Sequence, residues 1–509
     1  MARVDNSGAS EDATTALTGR IAGGPSELLR EEVLDPQFRY EAEHLLPGYV
    51  SIEKVFAAEY LRMGLITQAE AGQLAAALDT VTAGTIAEWQ AGSMSDIAFC
   101  LERHVERQLG EPVVRWHVDR SRNDLQACAQ LLFGRRQLVL VAQEALAFGA
   151  AAHRLAGTAT EMPMPGYTHF QAAQIITPGF YFAALSEQVL HSVRRMLATY
   201  EGIDASPLGA GAMAGQELHW DRDRMAHLLG FARPQPLALT SVASRAWSAE
   251  ATAELSLLGA ALSRFSTDLL MWSSSEYGFV DLPDELSGIS SAMPQKKNFP
   301  ILERIRGRTA HLTAYHLDVI LGQRNTPFTN LVEVSKEAGR HVLTAFTDSR
   351  SVLRLFRTVL DALVLRADRM AAACEREYFG GFSLANSLAL EELVPWRKAQ
   401  VIAGGYIVAA ARTGEAPSAV DPELLGRIAA EHGYRLADPG RLLAAAFDVG
   451  QALGRMVSTG STGPSAVREV LAAQAEEYAR LTTRWSRYEE LGSARSAELD
   501  RLLTVGSTS

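Results

Sequence analysis

The stretch DLQACAQLLFGRRQLVLVAQEALAFGAAAHRL, from Asp124 to Leu155, decides the fold class of this chain. For about thirty residues its apolar side chains recur at spacings of three and four, a period typical of an α-helix rather than a strand. Gly134 and Gly149 alone interrupt the pattern. Because the mean helix has about 11 to 12 residues, this stretch predicts a protein built around unusually long helices.

Helical patterns of similar length continue on the C-terminal side of this stretch. They cover residues 179–200, 244–275, 300–321 and 334–364, and shorter patterns lie between residues 52 and 90. Short β-branched runs such as residues 332–334 are too isolated to form a sheet. We therefore predict an all-α fold whose long central helices form a bundle, burying more than one face within the subunit or against other copies.

The order of these patterns predicts three folded regions behind a tail. Residues 1–25 are rich in Ser, Thr, Gly and Asp without apolar periodicity, which indicates a disordered tail. We expect an N-terminal helical domain over residues 26–120 and a central long-helix bundle over residues 121–375. A small helical domain is expected over residues 376–509, where proline and glycine separate shorter helices.

Composition excludes several classes of function. The formal net charge of -11 argues against a nucleic-acid partner, because phosphate recognition needs a positive field. The N-terminus lacks a signal-peptide pattern and no uncharged apolar run reaches about 18 residues, so we expect neither export nor a membrane partner. The cysteines Cys100, Cys128 and Cys374 are far apart in apolar contexts, which predicts buried thiols and a cytoplasmic location.

Three polar segments interrupt the helical background. They are His117 to Asp124, Pro165 to Gln174 and Gly288 to Asn298. In the first, Arg122 offers a planar fork for a carboxylate and Asn123 a neutral donor. The alternative interpretation is that Asp124 or Asn123 is only a helix N-cap and the arginines a solvated collar.

The other two segments contain groups suited to an elimination reaction. His169 stands beside a hydroxyl and two amides, although a single loop histidine is more often structural. Lys296 and Asn298 supply a cation and a donor two residues apart. Elimination from a substituted succinate needs a base, stabilisation of an aci-carboxylate and an acid for the departing nitrogen. As a base, Ser290 would need a positive environment that excludes water.

The sequence SSAMPQKKN, from Ser290 to Asn298, resembles the signature loop of the fumarase/aspartase superfamily. Its doubled lysine resembles the argininosuccinate lyase branch. Residues 120–124 and 166–171 resemble that branch's other two active-site segments in the same order, and residues 206–215 resemble a further stretch. The resemblance covers about residues 28 to 480.

The resemblance implies a three-domain all-α subunit in a homotetramer, with each active site shared by three subunits and without a cofactor or metal. It implies that Ser290 is the base and that Lys296 and Asn298 stabilise the aci-carboxylate. His169 would pair with Glu303 and assist proton delivery to the leaving nitrogen, and which group is the acid stays open. The substrate-binding residues that it implies are Ser121, Arg122, Asn123, Thr168, Gln171, Ser291, Met293, Asn298 and Lys336.

The sequence also departs from the branch. Near the motifs, Ile289 replaces a glycine, Phe299-Pro300 replaces Pro-Asp, and Val118-Asp119 replaces Thr-Gly. The branch's Tyr-Asn-x-Asp-Leu-Gln-x-Asp-Lys segment corresponds to residues 326–336, which lack the tyrosine and the glutamine and keep Lys336. Its Phe-Asn-x-Ser element is replaced by residues 38–41. These last two changes fall on the amine side of the substrate.

The sequence thus predicts a carbon-nitrogen lyase that reversibly eliminates fumarate from an N-substituted aspartate. Its small-molecule substrate would release an amine other than arginine, and examples are ethylenediamine disuccinate or an intermediate of a specialised pathway. The replaced residues on the amine side remove hydrogen-bond partners of the substrate, and such losses shift substrate preference. Argininosuccinate itself is the alternative substrate. A non-catalytic structural relative, such as a lens crystallin, and a carboxylate-binding scaffold without turnover are further alternatives, although the retained catalytic residues argue against lost catalysis.

Overall fold

The computed structural model describes residues 24–90 and 97–504. Most of its regular structure is helical, and its strands occur as short two-stranded ribbons. The predicted all-α fold is therefore confirmed. Of the tail predicted for residues 1–25, only residues 24 and 25 belong to the described part of the chain.

The N-terminal region packs short and medium helices around one apolar core. These helices are α1 (Glu27–Leu29), α2 (Asp35–His44), α3 (Leu46–Arg62), α4 (Gln68–Asp79), α5 (Ala83–Ala87) and α6 (Ile97–Gln108), with a π-helical turn at Arg30–Leu34. A capping box starts α4, since the Thr67 hydroxyl accepts from the Glu70 N–H while the Glu70 carboxylate accepts from the Thr67 N–H. Leu74 and Leu78, four residues apart on α4, are fully buried, as the predicted helical period requires.

The central region is a bundle of long helices. They are α7 (Arg122–Thr158), α8 (Pro178–Ile203), α11 (Ala246–Trp272), α12 (Pro300–Gln323) and α13 (Val342–Ala362), with the short helices α9 (Arg222–Leu228) and α10 (Ala238–Ala243) between them. The pair α11 and α12 runs antiparallel, because Ser266 on α11 contacts Leu302 at the start of α12, whereas Ser248 contacts Gln323 at its end. Their apolar faces merge with those of α7, α8 and α13 into the largest core of the subunit.

Two glycines in α7 have a packing role. A Cβ at Gly134 would overlap the Trp247 ring, and a Cβ at Gly149 would overlap the Tyr478 hydroxyl. Glycine destabilises a helix, but at these two positions a larger residue would clash with the aromatic side chains packed beside the helix backbone. This explains the two interruptions of the helical pattern in the sequence.

Short ribbons connect the long helices. The strands are β1 (Met164–Thr168), β2 (Gln171–Ile176), β3 (Ala205–Ser206), β4 (Arg233–Pro234), β5 (Val280–Asp281), β6 (Gly288–Ile289), β7 (Lys297–Asn298) and β8 (Val364–Leu365). Strands β1 and β2, β5 and β8, and β6 and β7 pair antiparallel, whereas β3 and β4 pair parallel. The β1–β2 and β6–β7 ribbons carry two of the three polar segments, which the sequence had indicated as loops.

The C-terminal region contains a small helical cluster and one long helix. Its helices are α14 (Ala367–Glu375), α15 (Gly381–Leu390), α16 (Trp396–Ala411), α17 (Pro422–Glu431), α18 (Pro439–Phe447), α19 (Val449–Ala452) and α20 (Pro464–Thr504). Helices α15 to α18 form a core of their own. In contrast, α20 contributes Trp485 to the bundle core and Leu503 to the N-terminal core. We therefore propose that the small domain ends before α20, earlier than the predicted boundary at residue 509.

The burial of α7 also bears on the membrane prediction. Within the described part of the chain, α7 alone has the length and apolar composition of a possible membrane span, and 56% of its most apolar window is buried inside the subunit. The core helix of a soluble protein meets the same criterion. The thiols of Cys100, Cys128 and Cys374 are buried, as predicted.

Candidate active site

The first polar segment forms the N-terminus of α7. Ser121 is the N-cap, and its hydroxyl accepts from the Asn123 N–H at 3.3 Å. The interpretation of Asp124 or Asn123 as the cap was therefore wrong, because both side chains have other partners. The Asn123 amide donates to a backbone carbonyl in the loop 206–215 at 3.0 Å.

Arg122 gives this helix end a positive surface. Its guanidinium is exposed and lies 4.6 Å from the centre of the Phe99 ring. The free N–H groups of a helix N-terminus attract anions, and a guanidinium binds a carboxylate with two parallel hydrogen bonds. The structure thus brings Ser121, Arg122 and Asn123 together in a place suited to a carboxylate.

A buried ionic network holds the chain just before this segment. Glu53 and Glu102 both contact His117 and Arg120: Glu53 lies 3.2 Å from His117 Nε2, and Glu102 lies 2.9 Å from Nδ1 and 3.0 Å from Arg120. Burial acts to raise the pKa of Glu53, but Arg120 and His117 lower it to about 2. Since Arg120 directly precedes Ser121, the network fixes the entry of the chain into α7.

Asp119 adopts a left-handed backbone conformation, with φ at 60°. Its carboxylate accepts from the Leu218 N–H at 2.8 Å and from the Trp220 ring N–H at 2.9 Å. Aspartate tolerates this conformation better than most residues. The hydrogen bonds attach the loop after residue 215 to the segment that precedes α7.

Asp124 joins α7 to the loop 206–215. It is fully buried, and one carboxylate oxygen accepts from the N–H groups of Gly209 and Gly211, both at 3.0 Å. Both glycines have positive φ, which presents their N–H groups to the same oxygen. Burial raises the pKa of Asp124 to about 7, although these hydrogen bonds act to lower it.

The second segment is the exposed tip of the β1–β2 hairpin. Thr168 pairs with Gln171, so His169 and Phe170 form a two-residue turn with φ of 54° and 59°. This turn type prefers Asn-Gly, and positive φ is strained for a phenylalanine. All four residues are exposed, with Phe170 at 74%. The hairpin therefore presents His169 outward from its own subunit.

The third segment is the loop of the β6–β7 hairpin. The strands pair Ile289 with Lys297, which leaves residues 290–296 as the loop. The Ser290 hydroxyl accepts from the Met293 N–H at 3.1 Å, and the Asn298 amide lies 3.4 Å from the Ile289 carbonyl. Because Ser290 follows Ile289 directly, the hairpin holds Ser290 and Asn298 at the two sides of the same loop base.

The two adjacent lysines have different surroundings. The Lys297 ammonium lies 3.1 Å from Asp281 and 3.3 Å from Asp284, next to the base of the hairpin. Burial acts to lower the pKa of Lys297, but the hydrogen bonds to the two aspartates raise it overall. Lys296 is exposed, and its side chain has no hydrogen-bond or ion-pair partner among the described residues. Lys297 is therefore structurally engaged, whereas Lys296 is available to a ligand.

The three segments lie at two ends of the bundle. Helix α7 has 37 residues and is about 55 Å long, and the first segment begins it while the β1–β2 hairpin follows its other end. The third segment lies on the hairpin side, because Tyr181 at the start of α8 contacts Asp268 near the end of α11, and Leu302 of α12 contacts Ser266. One subunit therefore brings the second and third segments to one end and leaves the first at the other.

Three further predicted site residues lie near the third segment. Glu303 is exposed in the first turn of α12, and Ser291 and Met293 are exposed in the loop. Within the described part of one subunit, no hydrogen bond or ion pair joins Glu303 to His169. The pairing of these two residues stays a prediction.

Lys336 lies at the other end of the bundle, in a π-helical turn at Glu333–Glu337. Its ammonium forms a buried ion pair with Glu41 of α2, and the Gln130 amide of α7 donates to the neighbouring Ser335 carbonyl at 2.6 Å. Burial lowers the pKa of Lys336 to about 7. Lys336 thus shares the N-terminal end of α7 with the first segment.

Sequence reasoning missed several residues around the site. Glu53, Glu102 and Glu41 are separated from their charged partners by at least 64, 15 and 295 positions, and no local pattern marks such pairs. The signal that existed was a charged residue at an apolar helical position, which is uncommon unless the charge is paired. Glu53 stands at such a position between Ile52 and Val55.

The chain is similar in sequence to known proteins. The sequence profile of the lyase family matches residues 35–312. An argininosuccinate lyase from Hahella chejuensis is 30% identical over 376 residues, covering 73% of this chain and 79% of that protein. An argininosuccinate lyase from Deinococcus deserti is 32% identical over 425 residues, covering 82% of this chain and 88% of that protein. The chain belongs to the argininosuccinate lyase branch of the fumarase/aspartase superfamily. As a member of this branch it is a fumarate-releasing carbon-nitrogen lyase.

Solved structures of the superfamily share the fold. EDDS lyase in complex with formate superposes with a TM-score of 0.82 at 22% identity, covering 95% of this chain and 96% of that one. A class II fumarase from Schistosoma mansoni gives a TM-score of 0.64 at 16% identity, covering 80% and 90%. At these identities the likeness concerns the fold alone.

The structure explains two departures from the branch. Where argininosuccinate lyases have glycine before Arg-Ser-Arg-Asn-Asp, Asp119 keeps the left-handed conformation that glycine adopts readily. Where they have glycine before the signature serine, the Ile289 side chain is 94% exposed and meets no steric obstacle. Both replacements are therefore accommodated by the local backbone and its surroundings.

Proposed function

We propose that this member of the argininosuccinate lyase branch eliminates fumarate from an N-substituted aspartate whose leaving amine is not arginine. One observation carries the elimination: the β6–β7 hairpin holds Ser290 and Asn298 at the base of a loop whose Lys296 ammonium is unpaired among the described residues. A base, a donor and a cation on one loop match what formation of an aci-carboxylate requires.

In the proposed reaction, Ser290 removes the proton on the carbon beside one carboxylate. The electron pair of that C–H bond passes to the carboxylate, whose second negative charge Lys296 and Asn298 stabilise. The electrons then return to form the carbon-carbon double bond of fumarate as the C–N bond breaks. The leaving nitrogen takes a proton with assistance from His169 and Glu303.

Substrate binding is assigned to the remaining polar residues of the three segments. The carboxylates of the succinyl part would be held by Ser121, Arg122, Asn123 and Thr168, with contributions from Gln171, Ser291 and Met293. The exposed arginine at a helix N-terminus supports this role, since it combines a guanidinium with free backbone donors. Lys336 is proposed to contact the amine part.

The site is proposed to be shared between subunits of a homotetramer. Support comes from the length of α7, because the first and second segments lie at opposite ends of a helix about 55 Å long and cannot meet in one subunit. Further support comes from exposed leucines on the bundle, where Leu257, Leu317 and Leu321 are 48%, 55% and 56% exposed. Such side chains on long helices favour burial against other copies.

Argininosuccinate remains the second candidate substrate, since the relatives that match at 30% and 32% identity carry that activity in their names. Against it stand the replaced residues on the amine side, 38–41 and 326–336. We also propose a cytoplasmic location, supported by three buried cysteines that form no disulfide with one another.

The test is fumarate release measured by absorbance with a panel of N-substituted aspartates, including argininosuccinate. We expect release from at least one compound other than argininosuccinate, and a loss of turnover by orders of magnitude in Ser290→Ala with the tetramer intact. A panel in which argininosuccinate alone reacts would overturn the proposed leaving group. Failure of all compounds, in both the forward direction and the addition of amines to fumarate, would overturn the elimination itself.

A further inference from the structure

The ion pair between Glu41 and Lys336 lies on the amine side of the proposed site. Glu41 is 1% exposed and Lys336 is 14% exposed at its side chain, so the pair is largely removed from water. The Gln37 amide donates to the same Glu41 oxygen at 3.3 Å. The second oxygen of Glu41, Oε2, is buried and has no hydrogen-bond partner among the described residues.

The position of this pair along α7 relates it to the carboxylate-binding segment. Gln130, which donates to the Ser335 carbonyl beside Lys336, lies two helical turns after Asn123 on the same face of α7. The separation along the helix is about 10 Å. With the succinyl part at Asn123, as proposed above, this separation places Glu41 and Lys336 within reach of the amine part of the same substrate.

The charge of the pair limits what the amine part can carry. Lys336 already has a carboxylate at contact distance, so a second carboxylate from the substrate would lie against Glu41 in a buried place, where like charges repel strongly. In contrast, an ammonium, guanidinium or other N–H donor would satisfy the orphaned Oε2 of Glu41.

Arg245 is another buried cation nearby, and its Nε and Nη1 donors are occupied, whereas Nη2 has one longer contact, 3.5 Å from the Asn330 amide oxygen. Its Nε donates to Gln130 at 2.8 Å, and its Nη1 donates to the carbonyls of Val242 and Ser244, both at 2.9 Å. At Nε and Nη1 a carboxylate could bind only by displacing these oxygens. Arg245 therefore lacks the two parallel free donors with which an unpaired guanidinium binds a carboxylate.

Resting on the proposed elimination, we infer that Glu41 is a specificity-determining residue that selects a leaving amine with a cationic or donor group, and without a carboxylate, at the end remote from the scissile bond. Arginine carries an α-carboxylate, and the amine released from ethylenediamine disuccinate carries two. Both would therefore be poor leaving amines for this enzyme. The favoured amines are diamines and guanidino amines.

Matched pairs of amines that differ by one carboxylate test this inference. The full-length protein is given fumarate with agmatine or arginine, with cadaverine or lysine, and with ethylenediamine or 2,3-diaminopropionate, and the adduct is measured by mass. We expect the member without a carboxylate to add at least about tenfold faster in the pairs that react. In Glu41→Gln, which frees the Lys336 charge, we expect this ratio to fall by at least about tenfold.

A ratio measured in one preparation does not depend on how much of the variant is folded. Glu59→Gln is the matched control, because Glu59 is also fully buried and paired, with Arg62 and Arg224. Glu59→Gln should change the addition rates of the two amines in a matched pair by the same factor. Equal addition within the wild-type pairs, a preference for the carboxylated members, or an unchanged ratio in Glu41→Gln would each overturn the inference while leaving the elimination intact. If no amine adds, the proposed function fails and the inference fails with it.

Discussion

The Lys297 ammonium lies 3.1 Å from the Asp281 carboxylate, and this ion pair ties the base of the β6–β7 hairpin to the strand β5. The preceding residue, Lys296, is exposed in the loop and has no ion-pair partner among the described residues. The two adjacent lysines thus differ in their surroundings: Lys297 holds the base of the loop, and Lys296 is the one proposed to contact the ligand.

Substitution of the two lysines should separate these roles. Lys296→Met is expected to lower kcat by about 10²- to 10³-fold, because one donor to the developing charge is lost, with little change in the thermal unfolding midpoint. Lys297→Met removes an exposed ion pair contributing at most about 1 kcal/mol, so kcat should fall by less than tenfold. Steady-state fumarate release and thermal unfolding check both variants, and equal losses of kcat would contradict the assignment.

The glycines of α7 should respond differently to alanine. Gly149→Ala forces a Cβ against the Tyr478 hydroxyl and should destabilise the protein by about 1 to 3 kcal/mol. Gly157→Ala in the same helix meets open space and should stabilise by at most about 1 kcal/mol through helix propensity. Thermal unfolding of the two variants tests both expectations, because overpacking should lower the unfolding midpoint whereas higher helix propensity should raise it.

The pKa of Glu53 predicts a loss of stability in acid. Its value of about 2 lies below the ordinary value of 4.5, so the stabilisation is present above about pH 4.5 and disappears as the pH falls towards 2. The contribution is about 3 kcal/mol. Glu53→Gln should lower the unfolding midpoint at pH 7 and flatten its decline in acid, whereas Glu469→Gln, at an exposed position on α20, should change neither.

Asp124 has the opposite dependence. Its pKa is raised to about 7, so the folded protein favours the neutral carboxyl group. The contribution of Asp124 to folding stability is therefore present below about pH 4 and is lost as the pH rises through 7. Asp124→Asn keeps an acceptor for Gly209 and Gly211 and should remove this decline in the unfolding midpoint. Asp124→Ala leaves both N–H groups unpaired and should destabilise at every pH, by about 1 to 3 kcal/mol for each group.

Mixing two inactive variants should restore activity if sites are shared. Arg122→Ala and Ser290→Ala alter segments at opposite ends of the bundle. Subunits exchanged between the two variants would form some sites that contain neither change, and fumarate release should reappear in the mixture. A mixture of Lys296→Met with Ser290→Ala is the control, because both changes lie in one loop and travel together. Recovery in both mixtures, or in neither, would contradict sharing between these segments.

The long helices could be predicted closely because their apolar period is regular. The patterns at residues 179–200 and 300–321 correspond to α8 (Pro178–Ile203) and α12 (Pro300–Gln323). The pattern at residues 334–364 was less accurate, since α13 begins at Val342 after a π-helical turn. A widened turn keeps the apolar spacing of a helix, so periodicity cannot separate the two.

The hairpins and the long-range ion pairs could not be predicted. The turn at His169 and Phe170 contains no glycine or asparagine, which are the usual signal for positive φ. The pair of Glu41 with Lys336 joins residues 295 positions apart, and it depends on how α2 packs beside α7. The motifs thus point to the succinyl side of the proposed site, while the surroundings of its proposed amine side depend on tertiary contacts.

Helix α20 has 41 residues and fills gaps in two separate cores, where Trp485 and Leu503 are fully buried. Synthesis reaches this helix after every other described element. While the ribosome is still translating it, both cores are incomplete on one side, and the nascent chain exposes their apolar surfaces to solvent. The two cores can therefore close only after α20 has been synthesised, and until then chaperones have access to them.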